Sequence, residues 1–243
     1  MLTSIVVSLF LPVRYFRELW SDTRRVLAAP SDLTVIILVA VFALAVTYGG
    51  TYHLFWRTVH ISQQWRSILE TEGRALVFLV VPLISLIVLR IPLREVGFNL
   101  GQPKRWLLDV GLLYAFMLPL VFFASRQPAF RNYYPYLDIA RHGWRYFLLA
   151  QAIQLITMFC WEFICRGYLL FGLYRRLGPV AVAIQTIPFV LLHIGKPELE
   201  LLGSIIAGMA LGVVALRAKS FYPCVILHFG VAATLDLLSV LKF

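Results

Sequence analysis

Residues Tyr146–Tyr174 read YFLLAQAIQLITMFCWEFICRGYLLFGLY, an apolar run with a carboxylate and a guanidinium, Glu162 and Arg166, past its middle. A helix needs about 20 apolar residues to cross the hydrocarbon core of a bilayer. This run exceeds that, so it either tilts, bends near Arg166-Gly167, or emerges as a helical extension. Read as a helix, it places Glu162 and Arg166 one turn apart on the same face. Gln151 returns to nearly the same azimuth. A charge at the bilayer centre costs roughly 2.5–3.5 kcal/mol on the mildest insertion scale, so such residues pair with one another and face a protein interior.

Other apolar stretches flank this one. The predicted spans are Leu33–Phe55, Ala75–Pro92, Trp106–Ser125, Tyr146–Tyr174, Pro179–Ile194, Leu199–Leu216 and Phe221–Leu241. The fold class is therefore all-α: a polytopic membrane helical bundle of about seven spans. Residues 1–32 form an N-terminal interfacial helix and basic segment, because Met1–Pro12 is apolar but too short to cross. Residues 33–144 carry the N-terminal transmembrane helices, and 145–243 form the core that holds the chemistry. Composition agrees: 60% of the chain is hydrophobic and only 14% charged, where soluble domains carry about 25%.

The net charge of +10 belongs to loops that meet anionic headgroups. No basic-aromatic array suggests nucleic acid. Basic loop residues slightly favour a cytoplasmic N-terminus. Cys160, Cys165 and Cys224 all lie in apolar segments without CxxC spacing, which supports neither a disulfide framework nor a zinc knuckle. Gly208-Met209-Ala210-Leu211-Gly212 is a GxxxG, a face for close helix packing.

Ionisable residues recur in two further apolar stretches. His193 follows Phe189 by one turn, and His228 lies in the last span with Ala232 and Asp236 beyond it. Asp236 could orient a histidine or face water near the helix end. Stapling of helices by Glu162–Arg166, and packing by His193, are the plain alternatives. Two chemistries suit one carboxylate and two imidazoles. A general base can activate water while the other groups stabilise an oxyanion. Alternatively, Glu162, His193 and His228 can ligate zinc as a His₂Glu set, although the HExxH signature is missing. Periodicity leaves this choice open.

Glu-xxx-Arg-Gly, Phe-xxx-His, a glycine-rich helix and a final intramembrane His, in this order, resemble the CPBP family of CAAX proteases and bacteriocin-processing enzymes, also called Abi. The resemblance spans roughly Tyr146–Leu238. Leu93–Phe98 is similar to a loop that precedes the core in bacterial members. The resemblance implies an intramembrane endopeptidase of the glutamic type, with no cofactor, in a bacterial inner membrane. Its motif is Glu-Glu-xxx-Arg, then Phe-xxx-His, then His-xxx-Asn. The first Glu and first His are implied to activate water, and the last His and Asn to form the oxyanion hole. By position Glu162 is the second Glu, Arg166 the arginine, His193 the first His and His228 the last. Trp161 stands at the first-Glu position and Ala232 at the Asn position. Trp cannot accept a proton, and the Ala side chain cannot donate one.

The reading adopted is a Glu162-based variant, with Glu162, His193, His228 and Arg166 as site residues. It would cleave a membrane-anchored peptide or precursor tail. The alternative is a catalytically inactive scaffold or bacteriocin self-immunity protein. A transporter is disfavoured by the lack of paired broken helices and inverted repeats.

Overall fold

The computed structural model describes residues 17, 18, 20, 21, 32–48 and 63–241, and their regular structure is all helical. The expected N-terminal interfacial helix lies largely outside the described residues. The helices are α1 (Asp32–Tyr48), α2 (Gln63–Val88), α3 (Pro103–Ser125), α4 (Pro128–Tyr133), α5 (Trp144–Glu162), α6 (Gly172–Leu177), α7 (Val180–Leu191), α8 (Glu198–Ala218) and α9 (Tyr222–Leu241). A π-helical segment, Phe163–Phe171, joins α5 to α6 without a break.

Among the described residues, four helical runs are long and apolar enough to cross a membrane: α3, the continuous Trp144–Leu177, α8 and α9. The stretches Asp32–Thr47, Ala75–Val88 and Val180–Leu191 are apolar but shorter. The last shows why the sequence overestimates a span. Pro179–Ile194 reads as continuously apolar, yet the helix stops at Leu191. The chain then turns through Gly195, whose φ of +90° suits glycine. Twelve helical residues rise only about 18 Å, short of the roughly 30 Å hydrocarbon core.

The long helix Trp144–Leu177 is the axis of the bundle. Its segments pack against α1, α2, α7, α8 and α9, and 56% of its apolar window is buried, against 11% for α3. Outward-facing Leu108, Leu112, Phe116 and Phe123 on α3 are exposed, as suits a surface solvated by lipid. One core cluster includes Ile36, Phe78 and Trp106 together with Phe163, Phe189 and Phe221. The 33–144 and 145–243 segments therefore share an interior.

Glycines bring the backbones together where the site is built. A Cβ at Gly208 would lie 2.6 Å from Thr186 Cγ2, and one at Gly212 2.9 Å from Gln185 Nε2. The GxxxG is thus the close face between α8 and α7. The π segment accepts the Leu93–Val96 turn beside Gly167, where a Cβ would meet Phe163 at 2.7 Å and the Val96 carbonyl at 3.1 Å. Phe98 anchors that turn, with its ring 4.9 Å from Phe163 and 5.0 Å from Phe221.

At one end of the bundle, ion pairs link Arg175 to Glu95, Arg176 to Asp32 and Arg217 to Asp109. At the other end, Glu200 binds Lys196 and the Tyr134 hydroxyl. There burial, aided by the nearby Glu200 and Asp236 carboxylates, pushes the Tyr133 phenol up to about 12.

Candidate active site

Glu162 closes α5 as its last residue, and Arg166 lies in the π segment one turn on. Arg166 Nη1 donates to Glu162 Oε1 at 3.0 Å, and both side chains are fully buried. The expected pairing is therefore present. Neither charge could stand alone at this depth. Above the guanidinium lies the Phe189 ring, 3.8 Å from its carbon to the centroid. The Gly208 carbonyl accepts from Arg166 Nη2 at 3.4 Å and from Gln185 Nε2 at 2.8 Å.

His228 approaches from α9. Its Nδ1 lies 2.7 Å from the same Glu162 Oε1, so the carboxylate oxygen accepts from both an imidazole and a guanidinium. Glu162 Oε2 has no hydrogen-bond partner among the described residues. His193 sits in the turn just past the end of α7, not within it, and its Nδ1 lies 2.7 Å from the Phe189 carbonyl. A carbonyl can only accept, so His193 Nδ1 carries the hydrogen and Nε2 is left as an acceptor. Against a carboxylate, His228 takes the same tautomer. The two rings lie nearly parallel, 5.9 Å apart and 16° from coplanar. Phe189 packs on both, at 4.6 Å and 5.4 Å, which gives the Phe-xxx-His spacing its physical meaning.

Trp161 occupies the histidine face that the resemblance reserves for the water-activating carboxylate. Its ring is 5.9 Å from His193 and 6.4 Å from His228. Lys196 Nζ lies 5.6 Å from the indole centroid. Glu162 is turned the other way, into the core, where it holds His228 rather than standing with His193.

One sequence expectation resolves differently. Asp236 does not orient a histidine: it is buried and accepts from Gln151 Nε2 and the Tyr136 backbone N–H, both at 2.8 Å. Gln151 consequently serves Asp236 and fastens α5 to α9, although it shares a helix face with Glu162. For zinc, no group of three or more His, Cys, Asp and Glu side chains is arranged to hold a metal ion among the described residues. Glu162 Oε1 already serves two donors. Sequence reasoning passed over Gln185 and Lys196. The signal for Gln185 was a buried amide one turn before Phe189, and for Lys196 the i,i+4 spacing to Glu200.

Residues 143–234 match the family model described as type II CAAX prenyl endopeptidase Rce1-like. This segment is similar to that family. The CPBP resemblance read from the motifs holds over it. No curated protein and no solved structure matches the chain. The Rce1-like segment begins at the turn before α5 and contains Glu162, Arg166, His193 and His228. The family is one of membrane peptidases, and the apolar helices make the chain an integral membrane protein.

Proposed function

We propose that this protein is an intramembrane endopeptidase in which Glu162 works through His228, the base that activates the water. The observation that carries this reading is the 2.7 Å contact between Glu162 Oε1 and His228 Nδ1. A carboxylate behind an imidazole fixes its tautomer and steadies the positive charge that forms when the ring takes a proton. His228 is the more accessible partner, with 11% of its side chain exposed against none of Glu162. Water reaches the ring before it reaches the carboxylate.

A water between the histidines can donate one hydrogen to each Nε2 and keep a lone pair for attack. Its oxygen bonds to the peptide carbonyl carbon as His228 takes the proton. The C–N bond then breaks, and the same proton goes to the leaving amine. His193 holds the water in line. Arg166 is a positioning residue that keeps Glu162 charged and in place. The substrate is a membrane-associated peptide, extended at the scissile bond because a helix hides its carbonyls. The setting assumed is a bacterial inner membrane with the N-terminal side cytoplasmic.

Trp161 favours a second reading, a non-catalytic member that binds peptide in the same cleft, because an indole cannot act as base. One experiment separates the two. The full chain is reconstituted in liposomes with a library of membrane-tethered peptides, and products are read by mass spectrometry. The expected result is cleavage by the wild type, reduced by about 10²-fold or more but still measurable in His193→Ala and His228→Ala, while both variants keep their thermal unfolding profile. Peptide capture by the wild type without any product would establish the second reading instead.

A further inference from the structure

We propose that the cavity beside Trp161 receives one aromatic or comparably large apolar side chain of the peptide, next to the bond to be cut. The assignment of a substrate to this pocket rests on the peptidase reading above. The cavity measures ≈ 220 Å³. A cavity of about 150 Å³ holds a benzene molecule, so this one accommodates a single aromatic ring with its linkage. Trp161 is the wall shared with the histidine pair: it lines the cavity and packs against His193 and His228. A side chain seated there therefore belongs to a residue whose backbone passes the imidazoles.

The lining selects the chemistry. Phe78, Tyr133 and Tyr136 supply aromatic walls in addition to Trp161, and aromatic pairs gain from edge-to-face contact beyond their buried area. The two threonines and the lysine at the cavity are engaged elsewhere. Thr47 Oγ1 donates to the Ala43 carbonyl at 2.8 Å, and Thr157 Oγ1 to the Ile153 carbonyl at 3.3 Å. Lys196 is neutralised by Glu200 at 2.7 Å, and Glu200 is held in turn by the Tyr134 hydroxyl. Among the described lining residues this pairing leaves no net charge to attract an acidic or a basic side chain.

The test uses the full chain in lipid nanodiscs and peptides carrying benzoylphenylalanine at successive positions. Light-induced crosslinks are mapped by mass spectrometry. At one peptide position they are expected on Trp161, Phe78, Tyr133 or Tyr136. Ala75 also lines the cavity, and Ala75→Phe fills it. This variant should lower kcat/KM for peptides with an aromatic at that position by about 10-fold or more while sparing their alanine counterparts, in line with the discrimination apolar pockets achieve. Crosslinks only elsewhere would overturn the proposal. So would labelling of these walls by a diazirine phosphatidylcholine that peptide does not displace, or an equal loss for both peptides in Ala75→Phe. Should Ala75→Phe not fold, the wild-type crosslinks decide. Crosslinking without cleavage sinks the peptidase reading and leaves the pocket as a peptide site. Cleavage without crosslinks or size dependence sinks the pocket alone.

Discussion

Replacing Arg166 by Met removes a buried cation and keeps an unbranched apolar stem. Three contacts are lost: the 3.0 Å pair with Glu162, the long 3.4 Å hydrogen bond to the Gly208 carbonyl, and the guanidinium stacked 3.8 Å from Phe189. The second contributes little, since Gln185 Nε2 still serves that carbonyl at 2.8 Å. The first dominates because both partners are fully buried. Removing one partner of such a pair costs about 3–5 kcal/mol, most of it from the charge left behind. Loss of a desolvated cation–π contact is worth about 2 kcal/mol and overlaps with that figure. The expected destabilisation of Arg166→Met is therefore about 3–5 kcal/mol. Glu162→Leu combined with Arg166→Met should cost clearly less than Arg166→Met alone, because no unpaired charge remains. Unfolding in mixed micelles can be followed with a thiol-reactive fluorophore, since Cys160, Cys165 and Cys224 are buried and in no disulfide among the described residues. An Arg166→Met loss below about 0.5 kcal/mol, the range of an ordinary surface substitution, would refute the buried-pair reasoning.

The close approach of α8 to α7 gives a sharper contrast. Gly208→Ala places a methyl 2.6 Å from Thr186 and 3.2 Å from Phe189 and should destabilise by about 1–3 kcal/mol. Gly203→Ala meets nothing within 4 Å on the same helix and should be neutral or stabilising in the same unfolding assay. Alkaline pH provides another test. The Tyr133 phenol is pushed up to about 12 by burial, then by Glu200 and Asp236, so the folded state holds its proton more tightly than the unfolded chain. That stability is fully present below pH 10 and is lost as pH rises towards about 12. Tyr133→Phe should flatten the fall in stability across this window, as read by far-UV circular dichroism; an unchanged slope would contradict the shift.

The Glu162–Arg166 pair was legible because both residues lie on one helix and periodicity fixes their separation. The Phe189–His193 spacing was legible for the same reason, although His193 falls in the turn just past α7. Contacts between helices were not. Gln151 lies on the face of Glu162 yet bonds Asp236, because partner choice depends on how far one helix slides along another. The meeting of His228 with Glu162 likewise needed three dimensions. Arg166-Gly167 marked where the run could bend, but not that Phe163–Phe171 would be π-helical. Helix length was the weakest inference. Hydropathy continues through Leu192 and Ile194 after the backbone has already turned.

The most direct test is a double-mutant cycle on peptide hydrolysis in liposomes, with Glu162→Gln, His228→Ala and their combination. If Glu162 acts through His228, Glu162→Gln lowers kcat/KM by about 10²–10⁴-fold. The combined variant is then no slower than His228→Ala alone, because residues that work as a unit are not additive. Unchanged turnover in Glu162→Gln, or losses that multiply in the combined variant, would contradict it.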